Sequence, residues 1–99
     1  MEKNEYIESV KEELEQLLSL ENAEIYELSF SKAELKRYIA KLCETLKDFD
    51  GDIWQLANLA ASIIFEGSPN SPPGSGIVAH FVLRMFREEI NDVCKEYQS

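Results

Sequence analysis

The sequence predicts an all-α, single-domain four-helix bundle, and three observations carry that prediction. Apolar residues recur at spacings of three and four through most of the chain, which is the periodicity of a helix with one buried face. Helix signals punctuate the pattern: a Ser31-to-Glu34 capping box, an aspartate cluster over 48–52 and a proline-rich break over 67–76. At 99 residues and 44% hydrophobic content, the whole of 1–99 suits one core. The predicted helices cover about 4–19, 32–47, 53–66 and 77–97.

In the first helix, Tyr6, Ile7, Val10, Leu14, Leu17 and Leu18 share one side. At roughly 100° per residue, Glu5, Glu8, Glu12 and Glu15 gather on the other, an acidic stripe facing outward. Within 21–29, Ile25 and Leu28, with Phe30 just beyond, fit either a short extra turn of helix or an extended segment. This stretch reads as a connector.

In the second helix the Ser31 oxygen is placed to accept from the Glu34 backbone while the Glu34 side chain reaches back, with Phe30 and Leu35 as a hydrophobic staple. Leu35, Tyr38, Ile39, Leu42, Cys43 and Leu46 supply its buried face, and Lys32, Lys36, Arg37 and Lys41 make its other side basic. Asp48, Asp50 and Asp52 then close this helix and open the third, with Asp50 or Asp52 as N-cap. From Ile53 to Phe65 only Gln55, Asn58 and Ser62 are polar, a thin seam that suits the most buried element of a bundle.

Gly67 to Gly76 contains three prolines and no large apolar side chain, so it is a loop, and Ser75 is read as the N-cap of the last helix. Along that helix Ile77, Val78, Phe81, Val82 and Met85 cover one face of the first half. Glu88, Glu89, Asp92 and Glu96 occupy nearly the same azimuth in the second half. The later apolar residues Phe86, Ile90, Val93, Cys94 and Tyr97 have rotated by about a third of a turn. The far end of the helix is therefore expected to meet something other than its beginning does, either the first helix or a second molecule.

Charge narrows the function classes. The chain carries 19 acidic and 10 basic residues, a net charge of −9, divided as −7 over 1–30, +3 over 31–47 and −5 over 48–99. Such a surface repels nucleic acid and anionic membranes and favours a basic protein partner. Ile53 to Phe65 is too short for the ~17 to 25 residues of a membrane span. Cys43 and Cys94 lie among apolar neighbours with no signal peptide ahead of them, which reads as reduced thiols in a cytoplasmic protein.

The catalytic inventory is thin: one histidine, no Cys-x-x-Cys and no glycine-rich phosphate loop. His80 falls with Arg84 and Arg87 on the polar face of the last helix and reads as solvated. Gly74-Ser75-Gly76 is not a nucleophile elbow, which needs two more positions and a preceding strand. Asp48, Asp50 and Asp52 begin like an EF-hand loop, but Gly51 comes too early and the twelfth position is Leu59. Pro69-Asn70-Ser71-Pro72 has the spacing of a Pro-x-x-P ligand without its basic residue and reads as a stiff linker. No catalytic, cofactor or metal residue is assigned, and an enzyme is not expected.

Carboxylates around aromatic anchors are what a site for a basic protein needs, because charge speeds encounter and apolar anchors hold. The candidate partner-binding residues are Glu88, Glu89, Asp92, Glu96 and Tyr97, with Asp48 and Asp50. The alternative is a homodimeric structural or regulatory bundle, in which the basic second helix docks on an acidic face of its neighbour.

Ser71-Pro72-Pro73-Gly74-Ser75-Gly76-Ile77-Val78 is similar to the Ser-Pro-x-Gly-Ile-Val stretch that leads into the last helix of the colicin nuclease immunity family. Two extra residues separate Gly74 from Ile77, and the paired binding tyrosines of that family are absent, so no binding residue is carried over. In character the whole chain resembles the small acidic helical immunity proteins of bacterial nuclease toxins, of the bacteriocin or contact-dependent inhibition type. The resemblance implies a cytoplasmic bacterial protein that neutralises a basic toxin by covering its active site or an exosite beside it.

Overall fold

Five helices, where the spacing predicts four, make up the computed structural model, which describes residues 2–19 and 29–98, and side chains within 2–19 and 35–96. They are α1 (Lys3–Ser19), α2 (Ser29–Leu46), α3 (Ile53–Gly67), α4 (Ser75–Arg87) and α5 (Ile90–Gln98). The all-α class holds, with no strand among the described residues. The segment left open between a turn and an extended run lies outside the described residues, apart from Ser29, which begins α2.

The predicted helix over 77–97 is two helices. Glu88 takes an extended conformation (φ −102°, ψ 172°) and its N–H donates to the Arg84 carbonyl at 2.8 Å, which closes α4. The Glu89 carbonyl then accepts from the N–H groups of Asp92 and Val93 and starts α5. The bend resolves the rotated apolar stripe. A straight helix would carry Val93 and Cys94 out of the core, whereas α5 turns onto α2 and buries both. The far end therefore packs mainly on α2, whereas the first half packs on α1 and α3.

That contact is covalent. Cys43 on α2 and Cys94 on α5 form a disulfide across 51 positions of chain, so the expectation of reduced thiols is overturned. Two buried cysteines with Cα atoms 5.9 Å apart satisfy the geometry such a bond requires.

Helix starts follow capping chemistry with two corrections. Asp52 caps α3: its Oδ1 accepts from the Gln55 N–H at 2.8 Å, while Gln55 Oε1 accepts from the Asp52 N–H at 2.9 Å. This reciprocal pair satisfies two helix-end donors and fixes where the connector ends. Ser31, by contrast, lies inside the first turn of α2, which starts two positions earlier, so the Ser31–Glu34 box does not mark the start; those side chains lie outside the described ones. Ser75 is the first residue of α4 and not its cap; Gly74 holds that position without a side-chain bond, its carbonyl accepting from Ile77 and Val78.

The core joins one face of α1 (Tyr6, Ile7, Val10, Leu14) to the buried faces of the other four helices. It is densest along α4, where Val78, Ala79 and the run from Phe81 to Met85 are all buried, because α4 packs against α1, α3 and α5. The expectation that α3 is the most buried element is thus corrected. Alanines 57, 60 and 61 give α3 a close-packed inner face, but Trp54 and Leu59 stand outside it, 40% and 39% exposed.

The long loop is held at both ends. Tyr38 Oη donates to Ser68 Oγ at 2.7 Å, and its ring lies against Gly67, where an added Cβ would come within 2.8 Å of Cε1. At the other end Tyr6 Oη donates to the Pro73 carbonyl at 2.6 Å. Lys3 pairs with Glu66, setting the start of α1 beside the end of α3. No helix among the described residues is long and apolar enough to cross a membrane.

Candidate functional site

The connectors 47–52 and 88–89 meet at one end of the molecule and border a cleft of about 340 Å³. Asp50, Glu88 and Glu89 supply carboxylates to it, Phe49 and Phe86 its apolar walls, and Lys47 one cation. Chain reversal explains the juxtaposition, since α2 and α3 turn back at Asp48–Asp52 where α4 and α5 bend at Glu88–Glu89. Two acidic clusters 40 positions apart thus share one surface.

Phe86 is the exposed anchor of this cleft. It is 49% accessible, the most exposed large hydrophobic side chain among the described residues. The sequence groups it with the apolar stripe of a continuous helix; the bend after Arg87 instead leaves it at the rim. The signal that could have found it is the coincidence of an apolar phase shift with Glu88-Glu89.

Arg84 changes the electrostatics of the predicted acidic face. It is not on a solvated surface beside His80, but 7% exposed at the inside of the bend. Its Nε donates to Glu88 Oε2 at 2.9 Å, and its Nη2 to Glu96 Oε2 at 2.7 Å and to Glu88 Oε1 at 3.2 Å. These hydrogen bonds, Glu88 first and then Glu96, hold the guanidinium pKa well above its ordinary value, against the opposing effect of burial. Glu88 and Glu96 therefore spend part of their charge inside the fold.

Asp48, Asp50, Glu89 and Asp92 are exposed and form no ion pair with the described residues. Of the seven predicted positions, Asp50, Glu88 and Glu89 line the cleft. Asp48 lies on the same connector, Asp92 is exposed on the first turn of α5, and Glu96 is drawn to Arg84. The Tyr97 side chain lies outside the described ones. No protein-family model, curated protein or solved structure matches this chain.

His80 is half-buried, and its Nδ1 donates to the Gly76 carbonyl at 2.8 Å, a bond that fixes the ring within α4. Among the described residues no group of three or more His, Cys, Asp or Glu side chains has metal-site geometry. The arrangement does one thing well chemically: it presents exposed carboxylates beside an exposed aromatic ring.

Proposed function

We propose that the chain is a small acidic binding protein, an immunity or inhibitor protein that neutralises a basic, nuclease-like toxin by occlusion. The observation that carries the reading is the cleft where Asp50, Glu88 and Glu89 surround exposed Phe86. Lysines and arginines that a nuclease uses to hold phosphate are complementary to such a surface. Carboxylates steer the encounter, and Phe86 supplies the apolar contact that slows dissociation. Glu89, Asp92 and Asp50 are the principal charges in this scheme; Glu88 and Glu96 are anchored by Arg84 and shape the surface.

A cytoplasmic place of action rested on reduced thiols, and the Cys43–Cys94 bond withdraws that support, because disulfides persist where the environment is oxidising.

The test is inhibition of DNA cleavage by the nuclease domains of basic bacterial toxins, titrated with the protein. Stoichiometric inhibition by one such domain, weakened by Glu89→Lys with Asp92→Lys, supports the proposal. Inhibition that charge reversal leaves unchanged rejects the mechanism.

A second reading, a homodimeric structural or regulatory bundle, is favoured by the exposed Lys36, Arg37 and Lys41 on α2, which complement the acidic end of a neighbouring copy. Sedimentation at micromolar concentration discriminates, and a strict monomer eliminates it.

A further inference from the structure

The Phe49–Gly51 ridge that walls the acidic cleft has a second concavity on its other side, of about 570 Å³. Trp54 and Leu59 of α3 lie along it, both well exposed although α3 is otherwise the most apolar helix of the chain. Phe49 and Asp50 also line it, with Asn58, which offers a side-chain amide, and Lys11 of α1. An exposed indole next to an exposed leucine costs solubility and adds nothing to the core. Aromatic anchors in grooves with polar rims are what concentrates binding energy at protein interfaces.

We infer that this groove is a second subsite for the same basic protein partner, seating a short segment in which an apolar side chain is flanked by lysine or arginine. The inference rests on the proposed reading that the partner is a basic protein. The apolar side chain lies between Trp54 and Leu59. A flanking cation reaches the Asp50 carboxylate, with the Trp54 ring face available to it. Lys11 donates to a backbone carbonyl of the segment. Charge complementarity selects this occupant: Asp50 and Asp52 are the exposed carboxylates lining the groove, against the single cation Lys11. Because Phe49, Asp50 and Gly51 wall both concavities, one partner straddles the ridge and fills both.

Trp54 is the only tryptophan of the chain, so its fluorescence reports the groove directly. The probe is a capped peptide, Lys-Arg-Leu-Phe-Leu-Arg-Lys, compared with heptalysine and with a version in which serine replaces every basic residue. The expected result is a saturable change in Trp54 emission with the first peptide only. Leu59→Ser and Asp50→Asn each weaken it by about tenfold, the scale of one interface anchor. Glu5→Gln, on the outward stripe of α1 and lining neither concavity, leaves the peptide response unchanged.

No saturable change, or an equal response to heptalysine, overturns the subsite. So does a response to the serine version as strong as to the basic peptide. Emission that changes with protein concentration alone assigns the groove to a second copy and also overturns it. The functional reading stands or falls separately: nuclease inhibition sensitive to Glu89 survives a failed peptide titration, and its absence rejects the basic partner whatever the peptide does.

Discussion

Arg84 of α4 holds Glu96 of α5 across the bend at Glu88–Glu89, Nη2 to Oε2 at 2.7 Å, while its Nε grips Glu88 at 2.9 Å. One buried guanidinium thereby fastens the end of one helix to the next. Arg84→Ala leaves two carboxylates near each other and a gap at the inside of the bend. The expected cost is about 2–4 kcal/mol, for lost charge-assisted bonds and packing, discounted because both carboxylates are partly exposed. Urea unfolding of the variant measures it, and a midpoint equal to that of the parent chain contradicts the role.

The disulfide fastens the same helix from its other side. Cys43 and Cys94 close a loop spanning 51 positions. Restricting the unfolded chain over such a loop is worth about 4 kcal/mol in the chain-entropy account. Unfolding with reductant present is expected to show that loss, and Cys43→Ser with Cys94→Ser to reproduce it without reductant. Thiols that alkylate freely in the native, unreduced protein contradict the bond.

Tyr6 links stability to alkaline pH. Burial, and then proximity to Tyr38, raise its pKa well above the ordinary 10.0. Below 10.0 both folded and unfolded chains keep the proton and the stabilisation is complete. As pH rises beyond it the unfolded chain ionises first, so stability falls until the folded value is reached. Tyr6→Phe is expected to lose about 0.5–1.5 kcal/mol at neutral pH with its bond to Pro73, and to flatten this alkaline decline. Thermal melts over about pH 8 to 11 compare the two chains, and identical slopes refute the assignment.

Much of the fold was legible because helical periodicity is local. The inner face of α1 follows from residue spacing except at exposed Leu18, and Asp52 is one of the two caps its place before an apolar run allows; the exposure of Trp54 and Leu59 on α3 does not follow from spacing. The bend at Glu88–Glu89 was not, since neither glycine nor proline marks it; only the rotated stripe from Phe86 to Cys94 hinted that a straight helix could not bury both halves. Arg84 at i−4 from Glu88 was a readable pair, yet its burial and its reach to Glu96 depend on the bend. Cys43 and Cys94 sit among apolar neighbours whether free or bonded, so their pairing needed tertiary structure. At the site, Asp50 and Glu89 were both visible as charges, but their meeting across one cleft is a consequence of two chain reversals.

Asp52 tests the ridge between the two concavities. Asp52→Ala removes one half of a reciprocal cap and is expected to cost about 1 kcal/mol, while Asp52→Asn keeps an acceptor and costs less. Gly51→Ala acts differently: its Cβ would come within 2.7 Å of Phe49 Cζ and closer still to Gln55 Oε1, so the Phe49 ring must move. Stability measured by urea unfolding separates the variants, and an Asp52→Ala chain as stable as the parent contradicts the cap.

The central claim, that the carboxylates at the Asp50–Glu89 end steer a basic protein onto exposed Phe86, is tested most directly by the association rate with an inhibited basic nuclease domain as ionic strength rises. The rate is expected to fall by about tenfold or more as salt shortens the reach of the charges. Glu89→Lys with Asp92→Lys lowers it at low salt, whereas Phe86→Ala mainly speeds dissociation. A rate indifferent to salt and to both charge reversals would contradict the account.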